Sequence, residues 1–400
     1  MGWKPVIYTP ENPEFTAYDE SLLSDIPAEA EIIKRKISEP YALYRRFGGG
    51  KNAAESRGAG VNPLNRQKKS FAQKLAVWVR GNFFVPDPRV FWVKPSVKFL
   101  TEYLKENPID ALVTTGPPQS MHLIGLGLKK AMPALKWIAD FRDPWTKMFY
   151  FKNMGLWGLA RRRHHRLEKE VLDTADGIIS VSPLVAEDFR EMTSTPVHLI
   201  TNGFDLADFP VTKPETHPGK FVLTHTGLFA SDGNPLNLWD VLSRKVVEDK
   251  AFAQALQIRL AGKTDPEIIS AISQRGLLPN LVNLGYIDHD KTVEEQRSAD
   301  VLLLPLRQDE EYRKVLPGKI FEYLAARRPV LGIGQEDGAA AQLLRSASAG
   351  VMYDWDRTDP IRNFIDNQWE NFLAGEQGPI SSDIGKFTRE SLTAQVVSIL

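Results

Sequence analysis

The residues with the clearest chemical potential run from Pro317 to Gly334, where a Pro317-Gly318 pair precedes Lys319 and Glu322. The spacing predicts a helix that opens at the Pro-Gly pair, carries Glu322 in its first turns and ends at Arg327-Arg328. Pro329 then begins a short apolar strand that finishes on Gly332 and Gly334. The start of such a helix attracts anions, because its first N–H groups are unpaired and the helix dipole adds positive potential. A carboxylate one turn further in accepts hydrogen bonds from sugar hydroxyls. Phosphate at the helix start and Glu322 on a ribose together suit a nucleotide-sugar site. The same spacing also suits an ordinary amphipathic helix of an α/β domain.

Two sets of strands must position these residues. In the second half, apolar strands are expected at 221–226, 257–262, 281–287, 301–305, 329–333 and 350–353, with helices between them. In the first half the expected strands are Lys4 to Thr9, Ala111 to Thr115, Trp137 to Asp140 and Gly177 to Ser182. Helices are expected over 70–84, 94–106 and roughly 156–174, and residues 48–69 read as a loop. Strands alternating with helices signal parallel sheets covered on both faces. Open parallel sheets bind ligands beyond the carboxyl ends of their strands. That rule gathers Gly227, Gly262, Tyr286, the loop from Arg307 to Pro317 and Gly332 to Gly334 on one edge. In the first half it selects Gly116-Pro117-Pro118 and Asp140 to Trp145. Two such edges facing each other define a cleft.

Composition narrows the chemistry. The 400 residues suffice for two domains, and there is no cysteine, which excludes disulfides and thiolate metal sites. Seven histidines without an HExxH or His-x-His pattern argue against a zinc enzyme. No apolar run reaches the ~18 residues of a membrane span, so a cytoplasmic protein is expected. The net charge of zero hides an asymmetry. Residues 1–205 hold 29 Lys and Arg against 23 Asp and Glu, a balance of +6 that the remainder cancels. Between 45 and 98, 12 basic residues face only Glu55 and Asp87, interleaved with Phe71, Trp78, Phe83, Phe84, Phe91 and Trp92. That pattern fits an anionic membrane surface, a nucleic acid, or a solvated basic face.

Taken together, Thr114-Thr115-Gly116-Pro117-Pro118, Ala139 to Trp145, Val181-Ser182, Thr201 to Asp205 and Pro317 to Ala325 resemble the retaining GT-B glycosyltransferases of the family-4 type. The resemblance runs in order over essentially the whole chain and is strongest for bacterial cell-surface polysaccharide enzymes. It implies an α/β protein of two Rossmann-like, doubly wound domains facing a central cleft. An acceptor-side domain would span 1–205 and a nucleotide-sugar domain 206–380, with a C-terminal helix in 381–400 packing back on the first. It implies a nucleotide diphosphate sugar as co-substrate, no cofactor and no metal.

Three departures accompany the resemblance. Such enzymes normally begin with an extra strand, a glycine-rich loop and a helix before the equivalent of Gly2-Trp3-Lys4-Pro5, so an N-terminally incomplete first domain is expected. The family's Glu-x7-Glu pair matches only at Glu322, its first member falling on Lys314. In Gly227 to Pro235 the usual basic positions hold Leu228 and Gly233.

By resemblance, Lys319, Gly318 and Pro317 would hold the phosphates and Glu322 the ribose, with Gly227, Lys263, Arg307 or Lys314 near the diphosphate. Backbone groups at Tyr286 and Ile287 would take the base. Asp140, Arg142 and Asp143 would orient sugar or acceptor as the catalytic set, with Gly116, Pro117, Pro118, His122 and Trp145 on the acceptor side. The expected partners are a nucleotide-sugar donor and a glycan or lipid-linked acceptor in envelope polysaccharide synthesis, without nucleic acid. An anionic membrane surface would meet residues 68–92 and 161–166 on the inner face of the cell membrane. A catalytically impaired binding protein is the alternative. A more remote one is an NAD(P)-dependent oxidoreductase, since Gly332-x-Gly334-x3-Gly338 with Asp354 imitates a dinucleotide fingerprint.

Overall fold

The computed structural model describes residues 2–12, 26–37, 78–148, 151–210, 214, 216–376 and 383–400, without the side chains of 152 and 153. The expected loop over 48–69 and the helix residues Phe71, Gln73, Lys74 and Leu75 lie outside the described residues. Residues 78–83 are helical. The chain divides into two compact units. One holds Met1–Val181, Val185–Leu199 and Val397–Leu400, the other Ser182–Leu184 and Ile200–Val396.

In the first unit, strands β1 (Val6–Pro10) and β2 (Glu31–Arg35) pair in parallel as a sheet of their own. Then follow α1 (Val90–Glu106), β3 (Ala111–Gly116), α2 (Ser120–Ala131), β4 (Lys136–Phe141), α3 (Gly158–Thr174), β5 (Gly177–Ser180), α4 (Pro183–Met192) and β6 (Val197–Leu199). These four strands form a parallel sheet in the order β3-β4-β5-β6. Trp137, Ala139 and Phe141 point from β4 into a core with Val171 and Leu172 of α3 and Phe189 of α4. On the other flank Trp92, Leu100 and Leu104 of α1 pack with Ile124 and Leu128 of α2, joined by Tyr8 of β1 and Leu112 of β3. The two sheets thus share one helical layer without pairing to each other. Strands of doubly wound sheets are normally apolar and covered on both faces. Here Val6, Ile7, Ile32 and Val113 stay exposed by more than a third.

The second unit continues with β7 (Phe221–Thr226), α5 (Leu236–Glu248), α6 (Lys250–Ala255), β8 (Leu256–Ala261), α7 (Pro266–Gln274), β9 (Leu281–Gly285), α8 (His289–Ser298), β10 (Val301–Pro305), α9 (Lys319–Ala326), β11 (Val330–Ile333), α10 (Ala339–Ser346), β12 (Gly350–Tyr353), α11 (Thr358–Ala374) and α12 (Arg389–Ile399). Its six strands are parallel in the order β12-β11-β10-β7-β8-β9. That is the doubly wound Rossmann order, with β7 at the start of both halves. The strands are nearly continuous apolar runs, as burial on both faces demands; every residue of β7 is buried. One face packs under α9 and α10 through Phe321, Leu324 and Leu344. The other packs under α5, α7 and α11 through Trp239, Ile272 and Trp369.

Candidate functional site

In the second unit the chain leaves β7 toward β8 and β9 on one side, while β10, β11 and β12 lie on the other. The strand order therefore reverses between β7 and β10, which is where such sheets open a ligand crevice. β7 ends on His225-Thr226 and is followed by Gly227, whose φ of 89° suits glycine. A side chain there would bring its Cβ to 3.1 Å from Lys319 Nζ. Lys319 is the first residue of α9, and its ammonium donates to the Thr226 carbonyl at 2.7 Å. His225 Nε2 stands 3.5 Å away, while its Nδ1 lies 3.0 Å from the Leu303 carbonyl oxygen. Burial, and then the Lys319 charge, hold His225 neutral well below the ordinary imidazole range. The Lys319 side chain is half-buried by area, with the ammonium its enclosed end; that enclosure lowers its pKa to about 8 despite the opposing pull of Glu322.

Glu322 lies one turn further along α9, half-buried, with its Oε2 accepting from Gln296 Nε2 at 2.8 Å. Gly262 follows β8 with φ 127°, and its N–H donates to the Gly285 carbonyl at 2.6 Å. The structure thus brings Gly227, Lys319 and Glu322 together at the reversal point. Pro317 and Gly318 precede the helix, and the Ile320 and Phe321 N–H groups already bond back to their carbonyls. Tyr286 stands out after β9, 86% exposed, beside half-buried Ile287. Lys263 is exposed and accepts from the Phe229 N–H through its backbone carbonyl. Lys314 sits in a 3-10 turn, Glu310–Lys314, with Glu311 4.0 Å from its ammonium.

The missing basic residue after β7 has a structural counterpart. A Cβ on Gly233 would lie 2.8 Å from the Leu306 carbonyl oxygen, so a long side chain does not fit there without movement. From that same β10 loop Arg307 reaches back, its Nε 3.4 Å from Asp232 Oδ1, and the Gln308 N–H donates to the Asp232 carbonyl. Arg307 of the neighbouring loop thus approaches the turn that holds Gly233. His225, Thr226, Gln296, Tyr323 and Asp232 escape sequence reasoning. His225-Thr226 closes a strand just before Gly227, which is a usable signal; Gln296 sits in a helix with no motif around it.

In the first unit, Asp140 lies near the end of β4, buried, with Oδ2 accepting from Arg142 Nε at 3.0 Å and Thr115 Oγ1 at 3.3 Å. Its Oδ1 is buried without a hydrogen-bond partner. Burial raises the Asp140 pKa against the pull of Arg142, and burial alone raises that of Asp143. The Arg142 N–H donates to the Gly116 carbonyl, tying the ends of β3 and β4, and Gly116, Pro117 and Pro118 are linked by cis peptide bonds. His122 and Trp145, assigned by resemblance to the acceptor side, are placed in the core. His122 is fully buried, stacks on Phe141 with ring centroids 4.2 Å apart, and meets Thr114 Oγ1 at 2.9 Å through Nδ1. A Cβ on Gly116 would collide with the His122 ring at 2.5 Å, so this glycine is what lets the imidazole lie under the turn. Trp145 donates its indole N–H to His164 Nδ1 at 3.0 Å, and the Thr146 N–H donates to buried Glu168 at 3.1 Å. These bonds pin the loop after β4 to α3. Trp145 itself is buried in the core of the first unit.

Burial lowers the His122 pKa to about 3 and that of His164 to about 4. Both rings are neutral when folded but gain protons below about 6.5 when unfolded. Their stabilising contribution is therefore complete above pH 6.5 and is lost as pH falls toward 4 and 3. A lower melting temperature at pH 5 than at pH 7 is predicted, with a smaller drop in His164→Gln, whose amide oxygen still accepts from Trp145. An equal drop in both proteins would refute the assignment.

Among the described residues, no group of three or more His, Asp or Glu side chains is arranged to hold a metal ion. No described helix is long and apolar enough to cross a membrane.

Residues 59–208 match the family model described as Glycosyltransferase Family 4. Solved structures with similar folds include sucrose-phosphate synthase from Thermosynechococcus elongatus, at 16% identity over 77% of each chain with a TM-score of 0.55. The UDP-forming α,α-trehalose-phosphate synthase from Burkholderia xenovorans, in complex with glucose-6-phosphate, aligns at 10% identity with a TM-score of 0.56. That alignment covers 94% of this chain and 87% of the other. S. aureus TarM, in a complex with UDP, aligns at 12% identity over 76% of this chain and 58% of its own, with a TM-score of 0.50. At these identities the likeness is one of fold: α/β, with two Rossmann-like units of the GT-B class. No curated protein matches the sequence.

Proposed function

We propose that this chain is a glycosyltransferase that moves a sugar from a nucleotide diphosphate sugar to a glycan or lipid-linked acceptor in cell-envelope polysaccharide synthesis. The observation that carries the reading is the Lys319–Gly227–Glu322 arrangement at the strand-order reversal of the second unit. As the glycosidic bond to the diphosphate breaks, positive charge develops at the anomeric carbon and negative charge on the departing phosphate. Groups already in place to meet that charge accelerate the step, because they need not reorganise during it. Lys319 meets the phosphate over the bare face of Gly227, with Arg307 as the second cation and no metal required. Glu322 accepts from a ribose hydroxyl, and Tyr286 and Ile287 flank the base. On the acceptor side Asp140, Arg142 and Asp143 orient the sugar, with retention of anomeric configuration.

Isothermal titration with UDP-, GDP- and ADP-sugars tests the reading. Saturable heat from one of them, lost in Glu322→Ala, is expected; no heat from any would sink it. The division of the first unit's sheet into β1–β2 and β3–β6 favours a second reading, in which donor binds without efficient transfer. Donor binding without release of nucleoside diphosphate over hours, across a panel of acceptors, would favour it.

A membrane-facing surface accompanies the proposal. Trp78, Phe83 and Trp157 pack edge to face at 4.7 to 6.0 Å, held by Asn82, whose side-chain oxygen accepts from the Trp157 N–H. Phe83, Trp157 and Leu159 remain 60%, 53% and 80% exposed beside Arg161, Arg162, Arg163 and Arg166, all exposed. Exposed aromatic rings next to unneutralised arginines suit the headgroup region of an anionic bilayer. The chain is expected to float with liposomes rich in anionic lipid, and a Trp157→Ser, Leu159→Ser double variant to lose most of that. Equal recovery with neutral and anionic liposomes would contradict it.

A further inference from the structure

Glu322 does not stand alone; its carboxylate is aimed by a residue on another helix. Gln296, on α8, is fully buried, and its Nε2 donates to Glu322 Oε2 at 2.8 Å and to Thr226 Oγ1 at 3.1 Å. Thr226 is fixed in turn, its N–H donating to Tyr323 Oη at 3.1 Å, and Tyr323 donates to the Leu303 carbonyl at 3.4 Å. The direction of every bond follows from chemistry. A carboxylate can only accept, so the amide nitrogen must face Glu322, and both amide hydrogens are then spent. The amide oxygen is left buried without a partner.

That orphan is informative. A buried polar atom without a partner costs about 1–3 kcal/mol, and an apolar residue could fill the space between α8 and α9 without that cost. Such a group in a native fold calls for an explanation. We infer that Gln296 is a positioning residue for ligand recognition: it occupies one oxygen of Glu322 and so presents the other, in a single orientation, as acceptor for a hydroxyl of the bound nucleotide's ribose. The inference rests on the donor-site reading above and adds the residue that sets its selectivity for a ribose bearing hydroxyls.

The test compares UDP, GDP and ADP with their 2′,3′-dideoxy forms, by titration against wild type, Gln296→Met, Gln296→Asn, Glu322→Gln and the Gln296→Met, Glu322→Gln double variant. Methionine keeps length and volume but removes the amide. Asparagine keeps a buried amide that falls one methylene short of Glu322. Both variants are expected to bind the ribonucleotide about tenfold more weakly, as for a hydrogen bond to a charged group. Both should bind the dideoxy form as wild type does, and Gln296→Met should add no ribose-specific loss to Glu322→Gln. A merely structural staple would weaken both forms by the same factor, or neither, and either result overturns the positioning role. Failure of wild type to bind any of the three diphosphates overturns the donor-site reading and this role with it. The two failures are separate, since the second is seen before any variant is made.

Discussion

Gly262→Ala is expected to unfold the second unit at ordinary temperature, or to leave it barely stable. A Cβ at this position would lie 2.3 Å from the carbonyl oxygen of Gly227 and 2.7 Å from its carbon, with φ at 127°. Neither atom can step aside. The Gly227 N–H is bonded to the Ala261 carbonyl at 2.7 Å, and the Gly262 N–H to that of Gly285 at 2.6 Å, so the ends of β7, β8 and β9 are locked together. Relieving the overlap means breaking one of these bonds or separating two central strands, at a cost of roughly 3 kcal/mol or more on top of the backbone strain. Domains hold only about 5–15 kcal/mol in total. Gly276→Ala is the matched control: φ is 74°, but nothing lies within 4 Å of the added methyl, so only the left-handed backbone cost of about 1–2 kcal/mol remains. Urea unfolding of the two variants separates overlap from backbone preference. Similar midpoint shifts would mean that the three strand ends are not the rigid platform described above.

Much of that platform is legible in the sequence, because strands buried on both faces must be apolar throughout. Val301-Leu302-Leu303-Leu304 and Phe221 to Thr226 announce themselves, and the glycines just after β7 and β8 and at the end of β9 mark where the strands stop. Strands at an edge carry no such signature. Glu31-Ile32-Ile33-Lys34-Arg35 forms β2 with most of its residues exposed, and Val197–Leu199 is only three residues long. Neither stands out from its surroundings. The separation of β1–β2 from β3–β6 is a fact of pairing between distant segments, which local pattern does not encode.

The site divides in the same way. Lys319 and Glu322 were readable because a Pro-Gly helix start fixes their spacing along one element. Gln296 and Thr226 join them from another helix and a strand, and only the fold makes them neighbours. His122 and Trp145 show the converse difficulty. An aromatic or histidine beside a strand end can face outward or inward, and here the Gly116 cradle and the His164 acceptor draw both inward. The Leu228 and Gly233 departures are visible in the sequence, but what surrounds Gly233 is not: the backbone of Leu306 fills the space beside it while Arg307 meets Asp232.

Lys319→Met is expected to weaken donor binding by ten- to a hundredfold, the worth of a charge-assisted hydrogen bond to phosphate in an enclosed site. The fold should tolerate it, since methionine matches the buried stem and only the bond to the Thr226 carbonyl and the long contact with His225 Nε2 are lost. Lys319→Arg should not rescue it. With Nζ 3.1 Å from where a Gly227 Cβ would lie, the enclosure fits a compact ammonium and not a planar guanidinium. The pH dependence is the sharper signature. Enclosure lowers the Lys319 pKa to about 8, so in the free protein the ammonium is charged below pH 8 and loses its proton above it. A diphosphate favours the charged form, so affinity should be constant below about pH 7.5 and fall roughly tenfold by pH 9, with uptake of a proton on binding. Titration in buffers of different ionisation enthalpy reads that proton directly. Lys319→Met should bind weakly at every pH with no proton uptake between pH 8 and 9. A wild-type affinity flat to pH 9, or a variant that keeps the same decline, would take Lys319 out of the phosphate site and leave Arg307 as its cation.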